Sequence, residues 1–240
     1  MLAKFRNSGQ SCVAANRFIV HEAVAEEFIE AFVRRTKALR VGGGTDSAAD
    51  IGPLIDERQR RRIHRLVEDA VGSGARVRTG GRVVPGAGFF YEPTVLEGVT
   101  PTMRVFAEET FGPVVALHRY ASDAEALAQA NQGSYGLAAS VWGKDVRGAE
   151  AIAVGIRAGA VSINDGAGAA AGSVEAGMGG MGDSGLGRRH GVEGMVKYTD
   201  AQTLARQRWL PLGPARGASV ERFVASTTRQ LRLMRRLGLR

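Results

Sequence analysis

One cysteine, Cys12, serves 240 residues, which excludes any intrachain disulfide and makes a reducing, cytoplasmic setting the simplest home. Long apolar runs are missing as well. None approaches the roughly 18 residues of a membrane span, and the opening MLAKFRNSGQ has no apolar signal-peptide core. His21, His64, His118 and His190 stand apart in sequence without metal-ligand spacing, so no metal is expected. Aromatics are 6% of the chain, too sparse to favour base stacking, so no nucleic-acid partner is expected.

What is present has ordinary soluble proportions, 44% hydrophobic and 23% charged, and the length allows a substantial core. The net charge of +8 is localised. Residues 201–240 hold nine arginines against one acid, Glu221, which is the whole excess and leaves the first 200 residues neutral. The body therefore lacks the electrostatic footprint of a nucleic-acid binder.

Apolar spacing predicts alternating strands and helices. VAANRFIV (13–20) reads as a strand, and 22–39 as a helix with Val24, Phe28, Phe32 and Val33 on its apolar side. A second helix is expected over 56–71, with Ile63, Leu66, Val67 and Ala70 on one face. Strands follow near RVRTG, over 91–99 and over 114–120. A helix over 123–131, a strand over 137–142, a helix capped by Asp145 and running to Arg157, and a strand over 160–163 complete the series. This alternation predicts an α/β layered domain with a largely parallel sheet, buried on both faces.

Three segments carry chemical signals. Gly166 to Gly187 is too glycine-rich for a stable helix and reads as a loop. Its G-x-G-x-x-G at Gly180, Gly182 and Gly185 has no strand directly before it and no clear helix after it. A chance match therefore explains it better than a phosphate cradle. In RNSGQSCVAANRF, Cys12 lies behind a turn-forming glycine and outside any apolar stripe, so a buried small hydrophobe and a reactive thiol both remain open. EETFGPV (108–114) is either a solvated acidic turn with Phe111 packed inward, or a carboxylate and a ring at the sheet edge where α/β proteins bind ligands.

GQSCVAANRF, EETFGPV, YGLAASVW (135–142), the Ser162-Ile163-Asn164 strand end and DSGLGRRHG followed by KYT occur in an order that resembles the aldehyde dehydrogenase family, over residues 3–205. The resemblance implies that Cys12 is the nucleophile that attacks an aldehyde carbonyl, with its own backbone N–H in the oxyanion hole. It implies that Glu109 holds the nicotinamide-side ribose of NAD or NADP, that Phe111 positions the nicotinamide, and that Gln59 or Arg62 lies near the same ribose. It also implies a general-base glutamate, an oxyanion-hole asparagine and a dinucleotide-binding domain located mostly before the cysteine, where this chain has eleven residues. The chain is thus expected to be a catalytic portion whose activity in isolation is incomplete. The alternatives are a cofactor-free thioesterase-like enzyme and a non-catalytic or split-subunit fragment that binds aldehyde dehydrogenase partners. CVAANRF and KYTDAQT resemble the succinate-semialdehyde branch, implying an aliphatic aldehyde or semialdehyde substrate. The loop 165–180, without aromatics, implies a wide mouth to the site.

The expected organisation is a catalytic domain over 1–200, a pairing segment and Pro/Gly linker over 201–218, and a basic amphipathic helix over 219–240. Homo-oligomerisation, or an N-terminal-half partner, is implied for the body. The tail helix, with Val220, Phe223, Val224, Thr227, Leu231 and Met234 along one stripe, suits either docking on protein or contact with an anionic membrane surface.

Overall fold

The computed structural model describes residues 1–166, 172–206 and 213–238. Part of the Ala/Gly-rich loop (167–171) and part of the pairing and linker segment (207–212) lie outside the described residues, and so do the expectations placed on them. Residues Met1–Tyr198 form one compact unit and Thr199–Arg240 a second.

The first unit begins with a one-turn helix, α1 (Leu2–Phe5), and a 3-10 turn (Arg6–Gly9) leading into the cysteine loop. Strand β1 (Arg17–His21) is shorter than expected. Residues 13–16 are diverted into a loop because Ala14 N–H bonds the Ser11 carbonyl and Ala15 N–H the Ala3 carbonyl. Helix α2 (Glu22–Lys37) starts at His21, whose ring Nδ1 accepts from Ala23 N–H, and ends in Arg34, Arg35 and Lys37, which complement the helix dipole. Its buried stripe is Ala25, Ile29, Phe32, Val33 and Thr36. Val24 and Phe28, expected on that face, lie one position off it and are exposed.

Asp56 caps α3 (Glu57–Gly72) by accepting from Gln59 N–H at 2.7 Å. Then come β2 (Arg76–Thr79), β3 (Thr94–Glu97), the one-turn α4 (Arg104–Ala107) and β4 (Val114–Tyr120). The sheet order is β1-β4-β3-β2, with β1, β4 and β3 parallel and β2 antiparallel at the edge.

Period-two alternation along β3 and β4 sends side chains to both faces. Leu96, Val114 and Ala116 join Ile63, Val67 and Ala70 of α3 and Val105 and Phe106 of α4. Val95, Val115 and Leu117 join Ala25, Ile29, Phe32 and Val33 of α2, with Phe5. Each fully buried valine, leucine or isoleucine among them contributes about 1.5–3 kcal/mol over its exposed state. The result is a helix–sheet–helix sandwich whose parallel strands are covered on both sides, as the continuous apolar strands predict. At its margin the buried Glu97 accepts hydrogen bonds from Arg78 and Arg119.

The remainder of the unit is α5 (Asp123–Ala130), β5 (Tyr135–Gly136), β6 (Ala138–Val141), α6 (Val146–Gly155), β7 (Ala160–Ile163), β8 (Met181–Gly182) and α7 (Gly191–Val196). Asp145 caps α6 as expected, but the helix stops at Gly155, and Ile156 is extended. Strands β6 and β7 pair in parallel, and β5 pairs with β8 antiparallel. Arg17 anchors this segment to the sheet by donating to the Gln129, Ala130 and Gln132 carbonyls at the C-terminus of α5.

Across 121–198 the only buried residues among those described are Gly136, Ala149, Ser162, Gly180 and Gly194, so no large side chain is buried there. The glycine triplet is explained by this packing. Met181–Gly182 is a strand, a side chain on Gly180 would strike Ser184, and the helix that does follow, α7, has only six residues. In the second unit, helix α8 (Val220–Arg236) is capped by Ser219.

Candidate active site

Cys12 is presented by an unusual backbone. Asn7, Ser8 and Gly9 occupy the left-handed region in succession, at φ 53, 56 and 72°. Such a run persists only where its surroundings hold it. Here Ser8 Oγ donates to the Gly52 carbonyl at 3.0 Å, and Asn7 Nδ2 donates to the Gln10 carbonyl at 2.8 Å. The Gln10 amide clasps the Pro53–Ile55 segment, donating to the Pro53 carbonyl and accepting from Ile55 N–H. The turn leaves the Cys12 side chain exposed. Among the described residues the Cys12 backbone N–H has no acceptor, as an oxyanion donor requires.

The second loop, Glu108–Gly112, lies against the first. A side chain added at Gly9 would sit 2.2 Å from the Gly112 carbonyl oxygen, so the two backbones touch where only glycine fits. Phe111 is half-buried and left-handed, at φ 50°. Its loop is pinned from α3: Gln59 Nε2 donates to the Thr110 and Phe111 carbonyls at 3.3 and 2.9 Å. Arg62 donates to the Glu109 and Thr110 carbonyls and to the Glu108 carboxylate. Arg104 takes the other Glu108 oxygen at 2.7 Å. The Arg104 hydrogen bond, reinforced by the Arg62 charge, holds the Glu108 carboxyl below the usual carboxylate range.

Of the two adjacent acids, Glu108 is therefore structural, and the Glu109 carboxylate is left without a hydrogen-bond partner among the described residues. The pair Gln59 and Arg62, expected near a ribose, grips the carbonyls of the loop that carries Glu109. Their i, i+3 spacing on α3 is the sequence signal for that shared face.

Lys4 went unnoticed in the sequence. It is fully buried, its Nζ donates to Asn16 Oδ1 at 3.0 Å, and burial lowers its pKa to about 7 despite the counteracting charge of Glu109. A charged side chain in MLAKF carries no pattern that announces burial.

Both loops precede their strands, so the site lies at the amino ends of β1 and β4. Open α/β sheets more often bind ligands at the carboxyl ends of their strands. A recess of about 630 Å³ between α3 and β2, lined by Val67, Val71, Val77 and Gly81, shares no residue with either loop. Among the described residues no group of three or more His, Cys, Asp or Glu gathers.

A half-buried Glu109 carboxylate without a hydrogen-bond partner among the described residues lies in the same loop as the half-buried Phe111 ring, against the turn that presents the Cys12 thiol. Known proteins supply an independent comparison. The aldehyde dehydrogenase family profile matches residues 1–204. A Mycolicibacterium smegmatis protein provisionally named succinate-semialdehyde dehydrogenase [NADP(+)] is 44% identical over 236 residues, 98% of this chain and 46% of its own. That alignment runs past the family profile into the tail helix. The Mycobacterium avium protein named succinate-semialdehyde dehydrogenase [NADP(+)] is 41% identical over 84% of this chain and 42% of its own.

Among solved structures, the NAD+ complex of a Bacillus cereus aldehyde dehydrogenase superposes with a TM-score of 0.78 at 34% identity, covering 83% of this chain and 40% of that one. Succinate-semialdehyde dehydrogenase from Burkholderia pseudomallei superposes with a TM-score of 0.77 at 40% identity, covering 82% and 40%. The chain thus spans less than half the length of the relatives it matches. Its cysteine motif, its glutamate–phenylalanine loop and its sheet all fall within the matched residues, and the chain belongs to the aldehyde dehydrogenase family.

Proposed function

We propose that this chain is the cysteine-bearing portion of an NAD(P)-dependent aldehyde dehydrogenase that oxidises an aliphatic semialdehyde to the corresponding acid. The observation that carries the reading is the seating of the Cys12 turn directly on the Glu108–Gly112 loop, through the Gly9–Gly112 contact. Cys12 Sγ, as thiolate, adds to the aldehyde carbon, and the C–S bond forms as the carbonyl oxygen becomes an oxyanion that the Cys12 N–H stabilises. Bound NAD or NADP supplies the acceptor for the hydride that leaves this carbon. Glu109 would hold the ribose and Phe111 would align the ring. Water then cleaves the thioester on Sγ, releasing the acid and returning the thiolate. The general base, the second oxyanion donor and the adenosine site implied by the family would come from the part of the relatives' length outside these 240 residues.

A semialdehyde of the succinate type carries a distal carboxylate, which needs a cation. Arg6 is exposed, has no ion pair among the described residues and opens the turn that presents Cys12, so it takes that role here. The test joins this chain to the preceding segment of the Mycolicibacterium smegmatis relative and follows cofactor reduction. Succinate semialdehyde should be oxidised, and Arg6→Gln should raise its KM about tenfold or more while leaving a neutral aldehyde of similar length unaffected, as loss of a charge-assisted contact implies. An equal rise for both substrates would remove Arg6 from substrate choice, and no oxidation of any aldehyde by a folded joined enzyme would overturn the function.

One observation favours a second reading, a portion that acts by pairing with other aldehyde dehydrogenase polypeptides. Residues 121–198 bury no large side chain among those described, and Val154, Val192 and Tyr198 are 89, 79 and 80% exposed. A face of that kind calls for a cover. A chain that stays monomeric and captures no full-length relative would rule this reading out.

A further inference from the structure

Helix α8 lies outside the matched family region, which ends at residue 204, and none of the chemistry above uses it. Its 17 residues span about 26 Å at 1.5 Å per residue. At 100° per residue, Val220, Phe223, Val224, Thr227, Leu231 and Met234 fall in one stripe about 100° wide. Arg222, Arg229, Arg232 and Arg236 fall on the opposite side, and Arg235 flanks the stripe. The single acid, Glu221, sits in the first turn, where a negative charge suits the helix dipole. No residue of the helix is buried, and Val220, Val224 and Leu231 are 62, 54 and 51% exposed.

We propose that α8 is a membrane-surface helix, which lays its apolar stripe into an anionic lipid leaflet and holds its arginines at headgroup level.

Charge complementarity selects this occupant. The first 200 residues are electrically neutral, so the whole net charge of +8 lies in residues 201–240, and five of the nine arginines there are on α8 itself. An anionic bilayer offers phosphates to the long arginine side chains, which reach the headgroups from the flanks and far side while the stripe sits at the acyl boundary. A surface position, and not a crossing, follows from the five arginines. Among the described residues no helix is long and apolar enough to span a bilayer. A nucleic acid would use the arginines but leave Phe223, Leu231 and Met234 without a role. A lipid surface uses both faces. The consequence is a chain whose second unit is held at a lipid surface.

The full chain should co-float with vesicles of phosphatidylcholine containing one third phosphatidylglycerol, should bind pure phosphatidylcholine vesicles far less, and should be released by rising salt. Each juxtamembrane arginine is worth about a fivefold change in partitioning, so Arg229→Gln, Arg232→Gln and Arg236→Gln together should weaken binding about a hundredfold. Phe223→Ser with Leu231→Ser should abolish co-flotation with every arginine kept. The thermal unfolding of the first unit reports whether either variant remains folded. The proposal is overturned if the wild-type chain stays behind with anionic vesicles, or if the Phe223→Ser, Leu231→Ser variant floats as well as wild type, which would show charge adsorption only. It is equally overturned if light scattering shows a self-associated wild type that this variant dissociates without any vesicle binding, since the stripe would then face a second copy.

Discussion

Lys4 Nζ is buried with one acceptor, Asn16 Oδ1, and the charge of Glu109 offsets only part of what burial costs. Its pKa falls from 10.5 to about 7, and that difference corresponds to about 5 kcal/mol against folding when the amine is protonated in both states. Between pH 7 and 10.5 the unfolded chain carries a proton at this site that the folded chain does not, so stability rises with pH across that window. The penalty is full below pH 7 and has shrunk to about 2 kcal/mol by pH 9. Lys4→Met removes it at every pH and leaves Asn16 Oδ1 without a donor, at a pH-independent cost of about 1–3 kcal/mol. The variant should therefore be the more stable protein at pH 6, by about 2–4 kcal/mol, and roughly equal to wild type at pH 9. Urea unfolding of both proteins at the two pH values measures the difference. A gap that stays constant from pH 6 to 9 would mean that Lys4 ionises alike in both states.

Two further perturbations probe the loop pair. Gly9→Ala forces a left-handed alanine whose Cβ lies 2.2 Å from the Gly112 oxygen, and should cost at least about 1–3 kcal/mol in thermal or denaturant unfolding. A variant within about 0.5 kcal/mol of wild type would mean that the loops do not touch. Arg62→Met releases the Glu109 and Thr110 carbonyls and one Glu108 oxygen, and should lower stability by about 1–3 kcal/mol. Amide hydrogen exchange at 108–112 should accelerate at least tenfold in that variant. Unchanged protection would assign the ordering of the loop to Gln59 alone.

Much of the sandwich is written in local sequence. VVALH in β4 reads as a strand buried on both faces, and its residues do alternate between the α3 side and the α2 side. Asp56, Asp145 and Ser219 cap the helices they precede, because a short side-chain oxygen next to orphan N–H groups is a local feature. The order of the motifs carries the family resemblance without reference to the fold. Less legible was whatever depends on long-range contact. Periodicity alone could not choose between Phe28 and Ile29 for the α2 core, since the choice is made by the facing sheet. The burial of Lys4 depends on Asn16 and on the loop ahead of β1, and the roles of Gln59 and Arg62 depend on a loop about fifty residues away. EETFGPV shows two equivalent acids; only Arg62 and Arg104 distinguish the structural Glu108 from the free Glu109.

Whether Cys12 forms the bond to substrate is settled by mass spectrometry of the joined enzyme. The sample is quenched in acid within the first turnover of succinate semialdehyde and cofactor, and the peptide containing Cys12 is weighed. The Cys12 peptide should carry the mass of a succinyl thioester, and Cys12→Ser should show neither adduct nor cofactor reduction. Cofactor reduction that proceeds with Cys12 unmodified, or at an undiminished rate in Cys12→Ser, would show that Cys12 does not form that bond.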